Sequence, residues 1–318
     1  MKKRLIGALS CFLIAGISCS AFAAVGVQNP NNVKWISTTP DKVWKECKLE
    51  KTAPTEDTLE LTGEKYQTID GFGGCFNELG GIALSKLNES ERNKVLLALF
   101  GDGGLKLNYC RLPIGANDYA ADWYSYDETD GDYALKDFSI ERDRRYLIPY
   151  VKKALQLRPD MKFFASPWSP PTWMKTSKTY NNGRLKMDKE TLDAYALYFK
   201  KYVEAYKEEG IHIQQIHVQN EPFANQKFPS CLWSGEQYRV FIKEHLGPLF
   251  EKEQVPTEIW LGTLNGPTLM SFMPTGKIVL DSYDEYVDRV LFDADARKYI
   301  KGVGYQWAGQ NVIQRTHD

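Results

Sequence analysis

Gln215-Ile216-His217-Val218-Gln219-Asn220-Glu221-Pro222 is the stretch on which the reading of the fold turns. Residues 215–219 form a short β-prone run. Asn220 and Glu221 end it with two polar side chains, and Pro222 cannot donate to a sheet ladder. A carboxyl at the end of such a run is placed for proton transfer, which makes Glu221 the leading candidate for chemistry. Taken alone, a Glu-Pro pair also suits a helix start, where an acid interacts with the dipole.

Five further runs have the same form, at 67–72, 106–112, 162–166, 258–263 and 302–306. Starts of successive runs lie 39 to 56 residues apart, and each run is followed by a segment with helical patterning, which is the signature of βα units. One apolar stripe, Leu192, Tyr195, Ala196, Phe199, Val203 and Tyr206, has helical spacing, with Gly210 at the place of a C-terminal cap. Ser234 and Gln237 form a capping box for the next helix. A third helix is expected to open near Ser139, with Glu141 in its first turn. A closed parallel barrel needs eight units and six are legible. A doubly wound sheet could close with six, but Gly71-Phe72-Gly73-Gly74 lacks the third-glycine spacing of a dinucleotide fingerprint. The expected fold is therefore an α/β (β/α)8 barrel, incomplete, over residues 65–318.

The chain of 318 residues is 43% hydrophobic and 13% aromatic, a globular composition. Lys2, Lys3 and Arg4, an apolar run at 5–17 and Ala21-Phe22-Ala23 read as a signal peptide over 1–23. A lipoprotein anchored through Cys19 is the rival reading. After cleavage before Ala24 the chain holds 37 basic and 41 acidic residues, net −4 with histidine neutral, which gives no support to nucleic-acid binding. No second apolar run reaches the length of a membrane span. The expected location is periplasmic or extracellular. Residues 24–64, polar and rich in proline, read as an irregular accessory segment. Cys47, Cys75, Cys110 and Cys231 allow three disulfide pairings or four free thiols. No CxxC or HExxH supports a metal, and no cofactor is implied.

In a barrel, functional residues collect at the C-terminal ends of strands. Here those ends carry Cys75, Asn77 and Glu78; Arg111, Asn117 and Asp118; Trp168 and Trp173; Asn220 and Glu221; and Gln306 and Trp307. Indole faces stack on sugar rings, Arg, Asn and Asp hydrogen-bond to hydroxyls, and a carboxyl supplies acid–base chemistry. Each group has a plainer role open to it: Arg111 as an ion-pair partner, both tryptophans as packing in a proline-rigid turn, and Asp118 as part of a simple turn.

The stretches IDGFGGCFNELGG (69–81), NYCRLPIGANDYA (108–120), FFASPWSPPTWMK (163–175) and IHVQNEPFANQKFPSCLW (216–233) closely resemble glycoside hydrolase family 30. This family contains glucosylceramidases and β-1,6-glucanases. The likeness spans nearly all of 66–318, and CRLPIGANDY, KFPSCLWSGEQ and GYQWAG resemble the β-1,6-glucanase branch most. Gln306 and Trp307 stand where glucosylceramidases usually carry histidine and tyrosine. The resemblance implies a retaining β-glycosidase acting on a β-linked glucan or glucoside. It makes Glu221 the general acid/base, Asn220 the partner of the sugar 2-hydroxyl, and Arg111, Asp118 and Trp168 the lining of the sugar subsite. Gln306 and Trp307 match the strand-six position more loosely. It also implies that residues 24–64 belong to a side β-domain. The nucleophile of the family lies at the end of a seventh strand, which is not found before Asp318, so the chain is expected to be a C-terminally truncated product. Within the same class the alternative is a glucosylceramidase or other β-glycosidase. Outside it stand a non-catalytic glucan-binding remnant and an exported α/β protein with a structural Glu221.

Overall fold

A computed structural model describes residues 34–48, 53, 62–265, 283–307 and 312–318. The expected signal peptide, with its cleavage site before Ala24, lies outside them. The chain divides into two compact units, 1–67 and 68–318. In the first, β1 (Trp35–Thr39) and β2 (Lys42–Cys47) pair antiparallel across Pro40-Asp41. This corrects the expectation of an irregular segment: β-branched and aromatic residues, among them Trp35, Ile36, Val43 and Trp44, favour the extended strands of a hairpin here.

The second unit holds α1 (Glu78–Ser85), α2 (Glu89–Phe100), β3 (Tyr109–Pro113), α3 (Leu147–Leu157), β4 (Lys162–Ser166), α4 (Lys189–Glu208), β5 (Gln215–His217), α5 (Gly235–Val240), α6 (Gly247–Lys252), β6 (Glu258–Asn265), α7 (Tyr283–Leu291), α8 (Ala294–Arg297), β7 (Ile300–Gln306) and α9 (Ile313–His317). Strands β3 to β7 form one parallel sheet in chain order, an unclosed (β/α) barrel. Its alternation follows from period two. Cys110, Leu112, Phe163, Ala165, Ile216, Val218, Ile259 and Leu261 are at most 4% exposed and belong to the core beneath the helices. The alternate residues Tyr109, Phe164, His217 and Trp260 form a row of rings across four strands, with centroids 6.0, 4.8 and 5.6 Å apart. Gly304 in β7 closes on this row, because a Cβ there would lie 2.4 Å from His217 Cε1.

The first expected strand, 67–72, is not one. Ile69 and Phe72 are exposed, so its apolar residues bury nothing. Only its last residue and those after it reach the start of β3: Phe72 O accepts from both Asn108 N and Tyr109 N, Gly74 O accepts from Arg111 N, and Phe76 N donates to Arg111 O. Glycine permits that contact, since a Cβ on Gly73 would lie 1.8 Å from Tyr109 O. Gly73→Ala is therefore expected to destabilise the protein by about 1–3 kcal/mol, the usual cost of forced overpacking, read as a lower urea midpoint with unchanged slope.

The helix expected at Ser139 starts at Leu147 instead. Residues 139–146 stay in turns because Asp143 is fully engaged by tyrosine hydroxyls rather than facing solvent in a first turn. The other two helices follow their local signals. Ser234 and Gln237 form the capping box of α5. The stripe of α4 is buried, and its buried face widens to include Tyr198 and Tyr202. Beyond α5 the helix passes through one π-type stretch, Phe241–Leu246, before α6. Pro248 lacks the N–H that an unbroken α-helix would use there.

Candidate active site

The C-terminal end of β5 delivers Asn220 and Glu221 into a cluster to which β3, β4, β6 and β7 also contribute. Arg111, at the middle of β3, donates from Nε and Nη2 to Ser166 Oγ at 3.0 and 2.6 Å. The same Nη2 lies 2.7 Å from Asn220 Oδ1 and 3.3 Å from Thr263 Oγ1. Its guanidinium stacks 4.2 Å over the Trp168 ring. Burial lowers the Arg111 pKa, and the charges of Glu221 and Asp118 oppose that shift; a guanidinium nevertheless stays protonated. Thr263 Oγ1 donates to Asn220 Oδ1 at 3.1 Å. It enters the cluster where the β6–β7 register slips between Leu261 and Leu264, an irregularity of the kind that re-aims side chains beside sites.

Glu221 sits at φ +45°, a left-handed backbone that costs a non-glycine residue of order 1 kcal/mol or more. Glu221 N to Thr263 O at 3.0 Å and Ala224 N to Glu221 O at 2.8 Å hold it there. Its Oε1 accepts from Gln306 Nε2 at 2.7 Å and Trp307 Nε1 at 2.8 Å, and Oε2 from Gln226 Nε2 at 3.4 Å. The carboxyl is half-buried, and these three donors are all neutral. Trp307 is 70% exposed, so its indole reaches the carboxyl while leaving most of its surface to solvent.

Arg111, Trp168, Asn220, Glu221, Gln306 and Trp307 thus meet in one cluster. Asp118 is exposed and joins only as a charge felt by Arg111. Other strand-end residues are structural. Asn77 caps α1, accepting from Gly80 N. Glu78 is buried against Arg142 and accepts from Ala121 N. Asn117 ties its own loop through Gly115 O and Tyr119 N. Trp173 is 4% exposed and donates to Asp127 O, so it packs rather than presents a face. The four cysteines are free thiols.

Ser166, Thr263, Gln219 and Gln226 were not among the residues singled out. Ser166, Thr263 and Gln219 are the last residues of expected runs, so the strand-end rule could have found them. Gln219 is fully buried, bridges Trp168 O, Asn220 O and Trp233 Nε1, and locks the peptide that carries Glu221.

The concave face continues from Thr263 into a cleft of about 690 Å³ lined by Tyr109, Phe164, His217 and Trp260. Neither ring nitrogen of His217 has a partner among the described residues. Burial first, and then the Arg111 charge, push its pKa down from 6.5 to about 3. A folded pKa below the unfolded one means that the unfolded chain takes up the proton first. The contribution is complete above pH 6.5 and is lost as pH falls from 6.5 towards 3, at up to about 1.4 kcal/mol per unit. His217→Phe is expected to flatten that part of the stability profile; identical slopes in the two proteins would show that His217 does not set it.

The sequence model of the glycosyl hydrolase family 30 TIM-barrel domain matches residues 69–318. The chain is 32% identical to a putative glucosylceramidase 3 of Caenorhabditis elegans over 85% of its length and 52% of the relative's. It is 30% identical to an endo-1,6-β-D-glucanase of Aspergillus fumigatus, covering 65% of this chain and 47% of the other. A solved endo-β1,6-glucanase superposes with a TM-score of 0.70 at 28% identity, over 80% of this chain and 57% of that one. The chain spans about half the length of the curated relatives it matches. No described helix is long and apolar enough to cross a membrane.

Proposed function

The chain belongs to glycosyl hydrolase family 30, and from that premise we propose a retaining β-glycosidase that acts on β-1,6-linked glucan, with Glu221 as the proton donor. The observation that carries this reading is the Glu221 carboxyl at the end of β5, held by Gln306 and Trp307 beside the Arg111–Asn220 pair. Asn220 Oδ1 is occupied by Arg111 and Thr263, so its Nδ2 is the atom left to donate to a sugar hydroxyl. Trp168, pinned by Arg111, offers apolar surface at the sugar subsite, and Asp118 supplies an acceptor at its exposed rim.

In the reaction, Glu221 protonates the glycosidic oxygen as the bond to the anomeric carbon breaks, then removes a proton from the incoming water. Double displacement also needs a second carboxylate about 5–5.5 Å from the first. No described carboxylate shares the hydrogen bonds of Glu221, so these residues supply the acid/base half of the pair. A second reading, a glucan-binding protein without turnover, uses the same subsite of Trp168 and Arg111. The glucosylceramidases among the relatives favour a third, hydrolysis of a β-glucosyl lipid, against which stands the Gln306-Trp307 pair at Glu221.

Product analysis on a linear β-1,6-glucan and on a β-glucosyl lipid separates the three. Release of gluco-oligosaccharides with retained anomeric configuration is expected from the glucan. Faster cleavage of the lipid would favour the third reading, and binding without cleavage of either would favour the second. We also propose export, with cleavage before Ala24; amino-terminal sequencing of the mature protein tests it.

A further inference from the structure

Lys175 is fully buried and has no carboxylate partner among its hydrogen bonds. A buried lysine is rare unless paired, and its charge is costly to keep out of water. All three N–H groups are used: Nζ lies 3.0 Å from Ser169 Oγ, 2.9 Å from Tyr180 O and 2.6 Å from Ser230 O. These oxygens belong to the turn that follows Trp168, to the loop after it, and to the loop that follows Glu221. Around the same knot, Ser230 N donates to Tyr180 O and Leu232 N to Gly183 O. Ser230 Oγ accepts from Asn182 N and Gln226 N, and Gln226 Nε2 reaches Glu221 Oε2. A continuous path of hydrogen bonds therefore runs from the ammonium to the carboxyl without any contact between the two.

We propose that Lys175 is the positioning residue for Glu221, its ammonium fastening the loop that carries the carboxyl to the loop that carries Trp168. The inference rests on the reading of Glu221 as the acid/base, but the knot itself can be tested without a glycan. Burial also lowers the Lys175 pKa to about 8, while the acidic groups facing it, Cys231 and Glu128, act to raise it. The Cys231 thiol is itself pushed up to about 11 by burial, so Lys175 loses its proton first as pH rises. The knot should accordingly loosen on the alkaline side.

The experiment is hydrogen exchange, read at the amides of Asn182, Gln226, Ser230 and Leu232, in the wild type, Lys175→Met and the milder Ser169→Ala, which removes one acceptor and touches neither Glu221 nor its loop. Exchange at these amides is expected to rise about tenfold or more in Lys175→Met and severalfold in Ser169→Ala, while α4 amides stay protected. Binding of a β-1,6-gluco-oligosaccharide, followed by tryptophan fluorescence, is expected to weaken about tenfold in Lys175→Met at pH 6. It should also weaken reversibly in the wild type between pH 7 and 9, a limb that Lys175→Met lacks. Unchanged exchange in Ser169→Ala, or unchanged exchange in a folded Lys175→Met, overturns the proposal, as does an alkaline limb that survives Lys175→Met. Faster exchange in proteins that bind no glycan at any pH would leave the knot standing and count against the glycan reading of the site.

Discussion

Asp143→Ala is expected to lower the unfolding free energy by about 3–5 kcal/mol, because three buried hydroxyls lose their acceptor at once, at about 1–3 kcal/mol each before relaxation. Asp143 is 2% exposed. Its Oδ1 accepts from the Tyr124 hydroxyl, and its Oδ2 accepts from Tyr126 at 2.7 Å and Tyr206 at 2.6 Å. Tyr124 and Tyr126 lie in the loop after β3, and Tyr206 in the last turns of α4, so one carboxyl joins that loop to the longest of the described helices. The gain from no longer burying a carboxylate offsets part of the cost of truncation. Burial raises the Asp143 pKa, against the pull of its three hydroxyl donors. A raised folded pKa means the folded state holds the proton more tightly, so the contribution of this group is fullest below the unfolded carboxyl range and declines as pH rises through the folded value. That sign is opposite to His217. Urea unfolding at neutral pH measures the effect, and a change under 1 kcal/mol would refute the account.

Glu221→Gln is expected to cut glucan hydrolysis by about 10²–10⁴-fold, the range that general acid catalysis contributes. The replacement keeps an oxygen for Gln306 and Trp307 and changes little volume, so stability and oligosaccharide binding should stay near wild type. An aryl β-glucoside with an acidic phenol leaving group needs no proton from the enzyme, and its cleavage step should be largely spared. An equal loss on both substrates would exclude Glu221 as the acid and point to a role in holding the fold.

How much of this was legible depended on the range of the interactions involved. The α4 stripe and the α5 capping box are set by residues three and four apart, and both were readable. So were five of the six β-prone runs, because strand propensity is a local property. The run at 67–72 misled for the same reason. Its residues have the local propensity of a strand, but Ile69 and Phe72 stay exposed, and only the backbone of Phe72 and the residues after it pairs with β3. The candidate site was legible as a set of strand ends, which named Arg111, Asn220 and Glu221 but could not separate them from Asn77, Glu78 and Trp173, structural residues at the same kind of position.

By itself, then, the sequence determined the family resemblance, the parallel βα order and the place of Glu221 after β5. The tertiary structure decided which polar groups meet. Arg111 finds Ser166, Asn220 and Thr263 at separations of 55, 109 and 152 residues, Lys175 closes on Ser230 across 55, and Asp143 collects tyrosines from two elements. Periodicity and capping are local and leave their mark within a few residues. A hydrogen bond between distant segments leaves none, because its geometry exists only once strand register and loop packing have brought the partners within about 3 Å.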